Sequence, residues 1–417
     1  GYEPRKKAVF YDAETAVAVV EELSSRFSLK VDPRALVKNI TIGEKQRVEI
    51  IKALYRKSDF IILDEPTAVL TSIEVQELFR VLVALKEAGK AIIIITHKLK
   101  EVMQISDRVT VLCRGKLVST LPAAGTSGDR LAELMVGRKV SAMDKSYGRA
   151  VAVHEPVYLE LRGISVEERK RPRLRNVSLK VRRGEILGIC GVEGNGQTEL
   201  LETVTGLRQP DSGSLLVKGK DVTRSSPRAM LEMGVAHISE DRSQRGLVGH
   251  FPISNNLVLG YHRIMRFCRR GRLHWQSISE YAEKTAADFD VRTASIYTPV
   301  KALSGGNQQK VMIGRSLAQN PDIIIAAQPT RGVDIGAIEY IHRKLLEMRD
   351  AGKAILLVSA EIDELMSLSD TIAVLYEGRV AAYGPAQDFD ERRLGMLMTG
   401  LDQTAPVTAS GAMKEDA

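Results

Sequence analysis

Apolar residues fall in short runs. Phe60-Ile-Ile-Leu63, Ala91-Ile-Ile-Ile-Ile95 and Ile323-Ile-Ile-Ala-Ala327 are each long enough for a buried strand and too short for a helix. Between such runs the period lengthens to that of a helix, from Gly43 to about Tyr55 and from about Ile335 to a stop near Gly352. Thr71-Ser-Ile-Glu74 has the form of a capping box, opening a helix that stops near Gly89. Ile- and Val-rich strands alternating with helices predict an α/β fold with a parallel sheet covered on both faces. Ligands of such sheets bind at the carboxyl ends of the strands.

The run at Phe60 ends in Asp64 and Glu65, followed by Pro66 and Thr67. Two carboxylates at the end of a buried strand must be solvated, paired or bound to metal. A second copy, Ile323-Ile-Ile-Ala-Ala-Gln-Pro-Thr330, has Ala327 and Gln328 in place of the acids. The spacing is constant: 304−41, 328−65, 360−97 and 378−115 all equal 263. A gapless offset over nearly a hundred residues means two copies of one fold. Residues 1–140 are then the later part of a first copy, 141–156 a linker, 157–400 a second copy and 401–417 a disordered tail. The second copy has a beginning that the first lacks. Val177 to Val181 alternates as a strand, and Glu185 to Cys190 is a strand that meets a glycine-rich loop at Gly191. The matching loop of the first copy would fall at 191−263 = −72, ahead of Gly1, which is not an initiator methionine. A trimmed start is the expectation.

Composition narrows the class. The chain has 417 residues, 44% hydrophobic and 27% charged, with a net charge of +8. That is globular, and it permits an acidic partner without choosing one. Cys113, Cys190 and Cys268 are far apart with no CxxC pair, which suggests neither a disulfide framework nor a zinc site and fits a reducing, cytoplasmic setting. No stretch approaches the roughly 20 apolar residues of a membrane span, and the first residues do not form a signal peptide.

Gly191-Val-Glu-Gly194-Asn195-Gly196-Gln197-Thr198 lies between a strand and a helical pattern, the context of a phosphate-binding loop. Its glycines let backbone N–H groups crowd a phosphate, and Thr198 is placed to hold Mg²⁺. Gln197 stands where that pattern has lysine, so the β- and γ-phosphates meet no positive charge there. In Leu303-Ser304-Gly305-Gly306-Asn-Gln-Gln-Lys310, a hydroxyl and two glycines open a helix and suit the γ-phosphate of a nucleotide.

Together with Asp64-Glu65 and His97, these motifs resemble the ATP-binding-cassette ATPases over nearly the whole chain. The resemblance implies tandem P-loop NTPase cassettes, each a mixed sheet core with a helical subdomain, the first incomplete. It gives Asp64 the role of Mg²⁺-organising carboxylate, Glu65 that of the base orienting the attacking water, and His97 that of γ-phosphate sensor. In that family cassettes pack head to tail, so one ATP site combines Asp64, Glu65 and His97 with Ser304, Gly305 and Gly306. The other combines Gln197, Ala327, Gln328 and Ala360 with Thr41-Ile42-Gly43, where Ile42 replaces a glycine, and is expected not to turn over usefully. The Gly191 loop, Ile238-Ser-Glu-Asp-Arg242 and the Ala-Ala-Gln-Pro run resemble the ATPase of bacterial simple-sugar and nucleoside importers. That implies ATP and Mg²⁺, integral-membrane permease subunits, a solute-binding protein, a place at the cytoplasmic face of the membrane and no nucleic-acid partner. It also puts Glu240 near the link from ATP to permease and Leu247 to Tyr261 at the permease contact. On this reading the 417 residues by themselves, without an intact lysine-bearing loop, are expected to show negligible ATPase activity. A soluble tandem cassette acting on ribosomes or DNA, and a non-catalytic nucleotide-binding regulator, are the rival readings. The basic and aromatic stretch Arg263 to Trp275 fits a nucleic-acid site, a membrane-facing patch or a solvated helical face, and the sequence assigns it no function.

Overall fold

A computed structural model of the chain describes residues 2–400 apart from 7–9, 28, 30, 39, 41, 57, 68–71, 97, 114, 137–154, 169–170 and 193. Most of the expected linker and all of the expected tail lie outside the described residues. Contacts divide the chain into two units, Gly1–Ala142 and Met143–Ala417.

The first unit runs β1 (Arg5–Lys6), β2 (Phe10–Tyr11), α1 (Ala13–Arg26), α2 (Ile42–Tyr55), β3 (Phe60–Asp64), α3 (Ser72–Glu87), β4 (Ala91–Ile95), α4 (Leu99–Ile105), β5 (Arg108–Cys113), β6 (Lys116–Pro122) and α5 (Gly128–Val136). β3 and β4 pair in parallel, β5 and β6 antiparallel. Leu82 and Leu85 of α3 and Ile50 and Leu54 of α2 pack on one face of β3 through Ile61 and Leu63. The other face is open, with Phe60 74% and Ile62 67% exposed.

The second unit opens with β7 (Val157–Glu168), β8 (Arg171–Arg182), β9 (Ile186–Cys190), α6 (Gln197–Val204), β10 (Ser212–Val217), β11 (Lys220–Asp221), α7 (Pro227–Glu232) and β12 (Val235–Ile238). A π-helical turn (Arg242–Gly246) leads to α8 (Ile253–Val258), β13 (Cys268–Arg269), β14 (Arg272–Leu273) and α9 (Trp275–Asp288). The chain then forms α10 (Gly305–Leu317), β15 (Ile323–Ala327), α11 (Ile335–Asp350), β16 (Ala354–Ser359), α12 (Ile362–Leu368), β17 (Thr371–Tyr376), β18 (Arg379–Pro385) and α13 (Glu391–Met398). Its main sheet has the order β12-β15-β16-β9-β17-β18. All pairs are parallel except the last. β15 and β16 are buried at every position, because one face meets helices and the other meets α6 and the antiparallel sheet β11-β10-β7-β8.

The two copies agree residue by residue. β3 pairs with β4 from Phe60↔Ala91, and β15 with β16 from Ile323↔Ala354. The hairpins β5-β6 and β17-β18 share even the register shift, at Val111/Leu112 and Val374/Leu375. The strand expected over Val177 to Val181 lies within the longer β8, and the sheet is mixed as expected, its parallel core carrying an antiparallel edge strand and an antiparallel companion sheet. Irregular register along β7-β8 interrupts the alternation that would mark these strands in the sequence.

Candidate functional site

In the first unit β3 delivers Asp64 to an exposed position and leaves Glu65 half-buried just past the strand. Glu65 has φ 45°, a left-handed conformation unusual for a residue with a side chain. Its N–H donates to the Ile95 carbonyl at the end of β4 (2.8 Å). The turn is thereby tied to the segment leading towards His97, a residue that lies outside the described ones. Beyond Pro66, Thr67 is buried, and its Oγ1 donates to Glu101 Oε2 of α4 (2.7 Å). Glu101 also accepts from Thr96 (3.5 Å) and lies 4.0 Å from the Lys98 ammonium.

The second unit repeats this scaffold without the acids. Ala327 is the buried last residue of β15, and Gln328 again has φ 45° with its N–H on the Val358 carbonyl (2.8 Å). Thr330 Oγ1 donates to Glu364 Oε1 (2.8 Å), to which His342 Nε2 also lies at 3.0 Å. Ala360 stands exposed after β16. Strand pairing brings three chain segments to one sheet edge: Cys190 opposite Ser359, and Ala327 opposite Val358. The glycine-rich loop begins there.

Gly191 is buried at the end of β9, Gly194 and Gly196 have φ 95° and 102°, and Gly196 caps α6. A Cβ on Gly196 would stand 2.7 Å from Leu174 and 2.8 Å from the Arg173 carbonyl, so the loop requires glycine there. Asn195 Oδ1 accepts from the Glu377 N–H (3.2 Å), bracing the loop from the β17-β18 turn. Thr198 is exposed, whereas Gln197 is buried and its amide turns back to donate to the Gly191 carbonyl (2.8 Å). Burial pushes the adjacent Cys190 thiol up to about 12, which keeps it an inert core side chain.

Ser304 is the N-cap of α10. A Cβ on Gly305 would meet the Gly332 carbonyl at 3.2 Å, and one on Gly306 would meet Asp334 Oδ2 at 3.2 Å. Both glycines therefore pack tightly on the turn after β15. Arg242, from the π-helical turn, holds this arrangement. Its Nη1 donates to the carbonyls of Gly305 (3.4 Å), Arg331 (3.2 Å) and Gly332 (3.3 Å). Gln309 Nε2 reaches the Pro329 carbonyl (2.7 Å), joining α10 to the strand end. In the first unit Ile42 is the first residue of α2, while its side chain and the whole of Thr41 lie outside the described residues. The sequence alone did not reveal the Arg242 clamp or the Thr–Glu bonds.

A family model described as ABC transporter matches residues 4–68 and 174–331. The chain is 48% identical over 412 residues to the guanosine import ATP-binding protein NupO of Bacillus subtilis, covering 99% of this chain and 80% of that one. It is 43% identical over 395 residues to the nucleoside import ATP-binding protein NupA of Lactococcus lactis, covering 94% and 78%. Against the glucose import ATP-binding protein TsgD13 of Haloferax volcanii it is 44% identical over 385 residues, covering 91% and 69%. The chain belongs to the ABC transporter family. It is an ATPase of that family, and the α/β cassette fold and the family resemblance expected from sequence both hold.

For an ABC ATPase, the donor sets can be tested against the magnesium the family uses. Asp64 is an exposed hard oxygen donor at a strand end and fits Mg²⁺, which takes one or two carboxylates with substrate phosphates and water. Ala327 offers no oxygen from its side chain, so the corresponding strand end of the second unit lacks the carboxylate that Asp64 supplies. Among the described residues, no group of three or more His, Cys, Asp or Glu forms a metal cluster of its own.

Proposed function

We propose that this chain is the ATP-hydrolysing subunit of an importer for a nucleoside or simple sugar, working at the cytoplasmic face of the membrane with permease subunits and a solute-binding protein. The reading draws on the import names of the relatives and on the degenerate second copy. Nucleoside is the favoured cargo, since two of the relatives at 43% and 48% identity are named for nucleoside and guanosine import.

Hydrolysis in this proposal belongs to Glu65 and Asp64. Glu65 accepts a proton from the water attacking the γ-phosphate that His97 senses, and Ser304, Gly305 and Gly306 open a helix suited to a nucleotide's γ-phosphate. Mg²⁺, when bound at Asp64, neutralises charge on the β- and γ-phosphate oxygens. The observation that carries the proposal is the pair of strand ends. Glu65 and Gln328 share one strained backbone conformation, yet only the first bears carboxylates. Gln197, with its amide spent on Gly191, supports a second site without a hydrolytic role. Glu240 and the segment from Leu247 to Tyr261 are proposed to meet the permease. The test is ATP-dependent uptake by the transporter reconstituted with its permease and solute-binding protein, in liposomes loaded with ATP and given candidate solutes outside. Uptake of a nucleoside, lost with Glu65→Gln, is expected; ATP hydrolysis with no solute taken up would reject the assignment.

A further inference from the structure

The basic and apolar stretch that the sequence left unassigned folds into a small, firmly anchored hairpin. β13 and β14 pair as Cys268↔Leu273 and Arg269↔Arg272. The two turn residues, Arg270 and Gly271, have φ 51° and 76°, the tight primed turn of a two-residue hairpin. Its root is fixed by Phe267, fully buried with its ring 4.9 Å from that of Tyr281 in an edge-on contact. The His274 N–H donates to the Phe267 carbonyl (2.8 Å), closing the base.

What this hairpin displays is unusual for a solvated face. Met265 is 85% and Trp275 58% exposed, with Ile264 and Leu273 also exposed. Arg263, Arg269, Arg270 and Arg272 surround them and are exposed. Residues 263–279 contain five arginines and neither Asp nor Glu. Arg263, Arg269, Arg270 and Arg272 form no ion pair among the described residues, whereas Arg245, outside the hairpin, pairs with Glu202 and Glu240. The first unit has a hairpin at the corresponding place, where β1-β2 sets exposed Arg5 and Lys6 beside exposed Phe10 and Tyr11, although Lys6 there also meets Glu14 (3.1 Å).

We propose that the β13-β14 hairpin is a membrane-contact element that binds anionic lipid headgroups, its arginines on phosphates and Met265, Trp275, Ile264 and Leu273 at the headgroup–acyl boundary. Apolar side chains ringed by arginine, with a tryptophan among them, are the composition of interfacial segments. Nucleic acid is disfavoured because three of the four exposed apolar side chains are aliphatic or thioether and offer no flat face for a base to stack on.

Trp275 is the only tryptophan in the chain, so its emission reads the contact directly. The full chain is titrated with vesicles of phosphatidylglycerol and phosphatidylcholine in equal parts, and with phosphatidylcholine alone. The proposal expects a shift to shorter wavelength with the anionic vesicles only, reversed by high salt. Charge reversal by Arg269→Glu, Arg270→Glu and Arg272→Glu together should weaken partitioning by about 100-fold or more, from roughly 1 kcal/mol per basic residue. Met265→Asp, a milder change at a site almost wholly in water, should weaken it about 10-fold with an unchanged melting temperature. The proposal is overturned by no shift with anionic vesicles, by an equal shift with neutral ones, by a shift with an RNA oligonucleotide but not vesicles, or by a shift only when permease is added in detergent.

Discussion

The two strand ends share their backbone and differ in two side chains and in burial, β3 being open on one face where β15 is covered on both. β3 and β15 share register, the positive φ of the residue after the strand, the N–H bond to the neighbouring strand and the buried threonine–glutamate bond. A left-handed non-glycine residue is costly, of order 1–3 kcal/mol, and persists only where its surroundings impose it. At Gln328 that cost persists without the carboxylates, so the turn is a property of the cassette and the chemistry is an addition to it. The buried glutamates differ in their company. Glu101 has Lys98 and Thr96 nearby, whereas Glu364 has His342, at the position where the first copy has the buried Phe79.

The comparison can be broken first at Asp64. Asp64→Ala should lower ATP hydrolysis by the transporter isolated with its permease roughly 100-fold or more, the scale of losing one electrostatic stabiliser at a reacting phosphate. Ala327→Asp should leave the rate within about two-fold, because a base is still missing beside it. A comparable loss from altering either strand end would erase the proposed asymmetry.

The second unit holds an acid-sensitive histidine. Burial pulls the pKa of His237, in β12, down to about 4. An unfolded histidine titrates near 6.5, so between these values the unfolded chain binds a proton that the folded one refuses, and stability falls as the pH drops from 6.5 towards 4. The full loss is about 3 kcal/mol at 1.36 kcal/mol per pKa unit. Urea unfolding followed by Trp275 emission, which reports the second unit alone, should show this slope in the wild type and a flatter one in His237→Gln. An equal slope in both would remove the claim.

The smallest effect sharpens the shared scaffold. Thr330→Val takes one donor from the buried Glu364, and Thr67→Val does the same to Glu101, each at a cost of about 1–3 kcal/mol. The first is read from Trp275 emission and the second from far-ultraviolet circular dichroism. Destabilisation by only one of them would mean that the bond is not part of the common frame.

Much of this frame was legible in the sequence because it depends on residues close together in the chain. Apolar runs marked β3, β4 and β15, a capping pattern marked α3, and the 263-residue offset joined the copies. Gly196 was legible as part of a loop, since glycine spacing carries that information. Arg242 was not, because its carbonyl partners lie 63 to 90 residues away and any arginine looks alike on paper. The Thr330–Glu364–His342 cluster was missed for the same reason, its members being 34 and 22 residues apart. Gln197 was legible as a neutral residue in the loop, but its bond to Gly191 depends on how the loop folds back.

The central claim is that one strand end hydrolyses ATP and its twin does not. Its most direct test is the steady-state ATPase rate of the transporter with Glu65→Gln against Gln328→Glu. Removing the base at residue 65 should cost about 10²- to 10⁴-fold, while restoring a carboxylate at residue 328 should leave the rate within about two-fold, as its neighbour Ala327 offers magnesium no ligand. Near-wild-type turnover by Glu65→Gln, or a large gain from Gln328→Glu, would contradict the account.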